Sequence, residues 1–348
     1  LYALLALVDL RCEYLAAGPL TAPHHSLIGD WTGDGRADLL LAAQDNDRIV
    51  WRLYRQAHSQ GEWLKEITDS LGRQSRIEYA SIQDPAVYQG ESGGQFPILN
   101  WRGPRYMVAG LQQSNGVGGF NETRYQYRDA KVHLLGRGFL GFAQVISEDV
   151  TRQRQLTRHL HQAFPLLGIS HKEELKQGAA LLSHTSQQWT SSSSFAGKVH
   201  FPYMESSLQE SFESGQPVSA TRRSLTMDSQ FGNLLDERTE EAGTASGPAL
   251  RTTQVTRQYS NNESAWLLGF VTEENTRISA DGQTISRRHG YRAQSGSLLV
   301  AEENLYLDEP ALQQNILYQR DARGRLTRQS KRPGTRPGRA CSQCGPRG

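Results

Sequence analysis

The loop from Asp30 to Asp38, DWTGDGRAD, holds three carboxylates, a threonine and two glycines between two apolar runs. Counted from Asp30, positions 1, 3, 5, 7 and 9 fall on Asp30, Thr32, Asp34, Arg36 and Asp38, and position 6 is Gly35. In a calcium loop, alternate residues turn their oxygens inward, and glycine at the sixth position permits the sharp turn that brings in the next carbonyl. The spacing therefore predicts one structural Ca²⁺ held by Asp30, Thr32, Asp34, the main-chain carbonyl of Arg36 and Asp38. A helix-flanked loop would close with glutamate at position 12, but that position is Leu41, inside the run Leu39 to Ala43 that reads as a buried strand. The loop is thus expected to lie between strands. A hairpin turn rich in Asp and Gly has the same composition without any ion.

The elements around the loop read as sheet. Arg48 to Tyr54 alternates as a strand, and 37% hydrophobic residues with 33 glycines in 348 suit many short strands joined by turns. A formal net charge of +2 gives no argument for nucleic acid or membrane partners. No apolar run is long enough for a transmembrane helix. The opening LYALLALVDL lacks an initiating methionine, a basic region and a small-residue cleavage site, so it does not read as a signal peptide, and the chain is expected to begin inside a domain. Cys12, Cys341 and Cys344 are an odd number and imply no disulfide framework. The CxxC pair lies in a Pro/Gly/Arg-rich end without a second pair of zinc ligands, and residues 331–348 read as a disordered tail.

One phrase recurs. Asp69 and Gly72 in EITDSLGRQ, Asp228 and Gly232 in LTMDSQFGN, and Asp321 and Gly324 in YQRDARGRL each read as a turn between two strands, the aspartate bonding nearby main chain and the glycine supplying positive φ. Recurrence of one strand-turn-strand unit signals a repeat architecture.

Two enzyme motifs occur literally and fail on context. Gly136-x-Gly138-x-x-Gly141 matches a dinucleotide fingerprint, but Phe142 to Ile146 reads as strand where a helix must begin. Gly90-x-Ser92-x-Gly94 matches a nucleophile elbow, but glycines and Pro97 follow where a helix would be needed, so a loop is the better reading. His159 and His161 fall on one strand face, which without a third ligand is not a site, and His24 and His25 stand alone. Thr190 to Ser194 reads as a solvated loop. Asn121 and Asn262 begin glycosylation-type triplets.

The loop closed by Asp38 resembles the FG-GAP/VCBS calcium loop of β-propeller blades. Tyr318 to Leu326 resembles the YD repeat of Rhs proteins. Gly103 to Val108, Ser114 to Gly119, Tyr125 to Tyr127, Gly136 to Phe142, Gln162 to Pro165 and Trp266 to Gly269 resemble the middle region of the B component (TcB/TcdB) of insecticidal toxin complexes and its SpvB-like relatives. The resemblance implies an all-β chain: residues 1–66 the end of a β-propeller, and residues 67–330 part of a large YD-repeat/Rhs β-shell. It implies a structural, non-enzymatic role in a secreted toxin complex, enclosing and helping to deliver a toxic polypeptide. The implied partners are a pore-forming A component at the propeller and a C component or cargo at the shell, with no nucleic acid and no direct membrane insertion. A calcium-dependent surface-binding module is the alternative.

Overall fold

The computed structural model of the chain describes residues 2–8, 11–18, 24–32, 37–45, 48–55, 63–91, 93–101, 103, 105–194 and 197–333. All regular structure among them is β, as the alternating patterns predict. The chain divides into two compact units, residues 1–153 and 154–348.

In the first unit, β1 (Tyr2–Val8) and β2 (Arg11–Gly18) form an antiparallel pair. A separate antiparallel sheet has the order β3 (His24–Gly29), β4 (Asp38–Asp45), β5 (Arg48–Tyr54), so strands do bracket the acidic loop. Next come β6 (Glu66–Thr68), β7 (Gln74–Ser81), β8 (Tyr88–Gln89), β9 (Ile98–Asn100), β10 (Tyr106–Ser114), β11 (Phe120–His133) and β12 (Gly138–Asp149). The long β11 organises them. Its first residues pair with β10, its later ones pair with β8 and β9, and β12 runs antiparallel along nearly its whole length.

A core forms here because β11 and β12 carry small and aromatic residues at matching positions. Ile82, Val87, Met107 and Ala130 are buried, with Tyr88, Trp101, Tyr127, Phe139 and Phe142 packed against them. Phe139 and Phe142 are three apart and would face opposite sides of a regular strand. Between the pairs Ala130–Phe142 and Val132–Phe139, however, β12 has two residues opposite one on β11. At this bulge Gly141 adopts positive φ, at 76°, which glycine takes without the strain a Cβ would add. The alternation is thereby reset, and the two rings meet at 5.5 Å.

The second unit is a meander in which every strand pairs antiparallel with the next: β13 (Arg154–Leu160), β14 (Ser170–Gln177), β15 (Ala180–Ser194), β16 (Val199–Glu213), β17 (Gln216–Met227), β18 (Leu234–Ala242), β19 (Ala249–Asn262), β20 (Leu267–Ala280), β21 (Gln283–Ala293), β22 (Val300–Leu305), β23 (Gln314–Arg320) and β24 (Leu326–Pro333). Thr190 to Ser194 is strand rather than loop. Ser191 to Ser194 pair with Val199 to Pro202, and the ladder overrides the weak intrinsic preference of serine. The last strand also runs to Pro333, past residue 330.

Two neighbouring rows on opposite faces of this meander are mostly polar, while large hydrophobics such as Phe201, Leu250 and Ile285 are also exposed on it. Residues directly opposite in an antiparallel pair share a face, so each row across the strands lies on one side. One row runs through Arg158, Glu173, Thr185, Gln209, Thr221, Glu241, Arg251, Ala280 and Gln283. The adjacent row, on the other face, runs through His159, Lys172, Ser186, Leu208, Arg222, Glu240, Thr252, Ser279 and Thr284. Among the described residues of this unit, the buried hydrophobic side chains are Ala220, Ala242, Phe270 and Ile316. Cohesion comes instead from the backbone ladder and from cross-strand ion pairs such as Arg222–Glu240 at 2.9 Å and Arg257–Glu274 at 2.8 Å. Such cross-strand pairs each contribute about 0.2–1 kcal/mol.

Candidate functional sites

The acidic loop leaves β3 at Gly29 and re-enters β4 at Asp38, two residues that pair directly. Asp38 is 1% exposed, a burial that is costly for a carboxylate unless donors meet it. Its Oδ2 accepts the N–H of Trp31, the N–H of Thr32 and the Thr32 hydroxyl, each at 3.1 Å. Asp38 therefore ties the start of the loop to its end. Of the predicted calcium ligands, Asp30, Thr32 and Asp38 are brought into this closed loop, while Asp34 and Arg36 lie outside the described residues. The donor set is all hard oxygen, as Ca²⁺ requires. The Thr32 hydroxyl directs its proton to Asp38 and keeps its lone pairs for another partner. Among the described residues, which include two of the three loop carboxylates, no three His, Cys, Asp or Glu groups stand together as a metal cage.

The recurring aspartate turns share a geometry. Asp69 Oδ1 accepts the N–H groups of Leu71 and Arg73 at 2.9 Å, and its Oδ2 meets Arg73 Nε at 2.7 Å. Asp321 repeats this with Arg323 and Arg325 at the same distances. In each, the aspartate carbonyl accepts the N–H of the glycine three residues on, and Gly72 and Gly324 adopt φ of 77° and 79°. The third turn is one residue longer. Asp228 bonds Gln230 and Phe231, and its carbonyl takes the N–H of Gly232, four residues on.

These contacts set a pH dependence. Main-chain and side-chain hydrogen bonds from Arg325 hold the Asp321 carboxyl below its ordinary value of 3.8, and those from Arg73 do the same to Asp69. Their contribution is complete above pH 3.8 and is lost as pH falls through the lowered folded values. Carboxyl-resolved NMR titration should place both midpoints below 3.8. Asp321→Asn should remove the acid sensitivity of the β23–β24 turn without opening it at neutral pH. Midpoints at or above that value would reject the capping role.

The dinucleotide-type motif is largely part of a strand. Gly138 and Gly141 lie within β12, and Phe142 to Ile146 continues the strand. Phe139 and Phe142 of this motif form the aromatic centre of the first unit. Phe142 lies 4.7 Å from Tyr127 and Phe139 lies 5.4 Å from Trp101, with the Arg105 guanidinium 3.8 Å over the Phe139 ring. Ser92 lies outside the described residues. Gly94 is held where a Cβ would fall 2.7 Å from the main-chain nitrogen of Asn100, so glycine is required there by close backbone approach.

The histidines gain a member that spacing does not suggest. His171 of β14 brings its ring 4.7 Å from His161 and 6.1 Å from His159. His24 lies at the start of β3 and His25 is exposed.

Residues 8–163 match the family described as insecticide toxin TcdB middle/N-terminal region. No curated protein matches the chain. Among solved structures, a porin-like protein from Bacteroides vulgatus ATCC 8482 is 9% identical, with 58% of this chain and 93% of that one covered at a TM-score of 0.24. Another porin-like protein, from Bacteroides uniformis ATCC 8492, is 12% identical, with 77% of this chain and 92% of that one covered at a TM-score of 0.26. At those scores the two structures say nothing of what this chain does.

Proposed function

From a TcdB middle/N-terminal region at residues 8–163, we propose that the chain is a structural component of a secreted bacterial toxin complex and forms part of a β-wall around a toxic polypeptide. The observation that carries this reading is the two-faced polarity of the β13–β24 meander. A sheet that buries one face in a domain core alternates apolar and polar residues, whereas here neighbouring rows on opposite faces are both polar. A single layer with water on both sides satisfies that pattern. For a container, the consequence is useful. Polar rows on both faces give an unfolded cargo fewer apolar positions on which to adhere, while the continuous ladder bars entry to protease.

Residues 1–66 are assigned to the end of a propeller, residues from 67 to the end of β24 at Pro333 to the wall and the residues after it to a tail. The β3–β5 sheet supports the first assignment. The cross-strand row Leu27, Leu40, Leu53 and the neighbouring Trp51 and Ile49 fall on one face, and Trp51 and Ile49 are 59% and 67% exposed. An apolar face of this kind suits a blade that packs against further blades. One structural Ca²⁺ in the Asp30–Asp38 loop would neutralise its carboxylates and stiffen the hairpin. The propeller side is the expected contact for the pore-forming A component, and the wall for the C component or cargo. The chain works through enclosure rather than through chemistry of its own.

The test is limited proteolysis of the assembled complex containing this chain. Enclosed cargo should survive a protease concentration that digests free cargo within minutes, and opening the wall with denaturant should abolish the protection. Cargo as digestible in the complex as when free would reject enclosure. Calcium-dependent binding to cell surfaces by the 1–66 region, without cargo protection, would favour the adhesion module instead.

A further inference from the structure

We propose that His159 and His161, packed against His171, form a proton-operated catch on the β13–β14 hairpin: with His159 and His161 neutral the three rings pack together and hold the hairpin, and protonation of His159 and His161 loosens it. The placement comes from a bulge. His159 pairs with Lys172 and Leu160 pairs with Ser170, so His171 has no opposite partner. In a regular strand His171 would face away from Lys172, whereas a bulge re-aims the extra residue. It brings the His171 ring to 4.7 Å from His161 and 6.1 Å from His159.

The site disfavours charge. The Nε2 atoms of His159 and His161 are buried and without a hydrogen-bond partner, so a proton added there gains no acceptor. The charged and titratable groups on this face are Lys172, Glu174 and Lys176 of β14, Lys176 lying 3.9 Å from Glu174, then His184 of β15 opposite Glu174, Glu210 of β16 opposite His184, and further along the Lys172 row Arg222 and Glu240. Lys172 is spread between His159 and Glu174, which it meets at 3.2 Å. At the loop end, His200 lies 4.9 Å from the Phe164 ring. Burial first, then Lys172 and His171, lowers the proton affinity of His159, with Glu174 opposing, and burial and His171 lower that of His161. Because the unfolded hairpin binds these protons more readily, stability is complete well above pH 6.5 and falls as pH drops from 6.5 through the lowered folded values. The main-chain bonds that close the loop at His161, from Gly168 and to Ile169, are the ones such protonation would loosen.

Hydrogen exchange followed by mass spectrometry on the whole chain tests this, with rates corrected for the intrinsic effect of pH. Between about pH 7.5 and 5, protection of residues 156–175 should fall at least about tenfold while the β19–β20 hairpin stays constant. The triple variant His159→Gln, His161→Gln, His171→Gln should lose the pH dependence, and His171→Gln alone should weaken it. Should the triple variant not fold, the wild-type comparison of the two hairpins and the single variant still decide. Unchanged wild-type protection, or an equal fall in the variants, would overturn the catch. Zinc-induced protection at neutral pH that disappears in His171→Gln would also overturn it, by showing a metal site instead.

Discussion

Phe142→Ala should destabilise the 1–153 unit by about 3 kcal/mol, the lower end of the range for removing a core aromatic, because the ring is only partly buried. Phe142 is the ring that joins the others: it lies 4.7 Å from Tyr127, 5.5 Å from Phe139 and 6.3 Å from Tyr88. Its removal would leave a void beside Ala130, which is fully buried. Hydrogen exchange of β10 and β11 should accelerate by roughly two orders of magnitude, the factor that corresponds to this energy. The β15–β18 ladders, which lie in the second unit, should keep their rates. Phe142→Leu should lose less, since it retains most of the apolar volume. If β10 and β11 exchanged at wild-type rates in Phe142→Ala, the Gly136–Phe142 motif would not be a core-building element.

Asp38→Ala should cost about 3 kcal/mol in the stability of the β3–β4 hairpin, because it removes the common acceptor of three donors at a buried position. Asp38→Asn keeps one acceptor oxygen and should cost about 1 kcal/mol, the worth of replacing charged hydrogen bonds by neutral ones. Calcium separates this structural cap from an ion site. If the loop binds Ca²⁺, saturation at about a hundred times the dissociation constant should stabilise the wild type by about 2.7 kcal/mol. Asp34→Ala should remove that response while keeping the Asp38 cap. Melting that is identical in calcium and in chelator would reject the ion and leave the cap standing. A melting temperature unchanged by Asp38→Ala would reject the cap as well.

Features that depend on neighbours a few residues apart are legible in the chain alone. The aspartate turns at Asp69 and Asp321 could be read because a short acidic side chain and a glycine three residues later are enough to specify the turn. The strand after Gly138 was legible for the same reason, from Phe142 to Ile146 having no helix signal. The acidic loop between two strands could also be read, but not the part played by Asp38, which appears only once the loop folds back and brings Trp31 and Thr32 onto its carboxylate. Tertiary structure decided what depends on register. Each bulge shifts every later pairing by one residue, and local composition does not announce it. One bulge gathers Phe139 and Phe142 into a single core, and another turns His171 toward two histidines ten and twelve residues away in the chain. The two-faced polarity of β13–β24 has the same origin: polar residues were visible in every strand, but the face each occupies is fixed only when neighbouring strands align and complete their backbone hydrogen bonds.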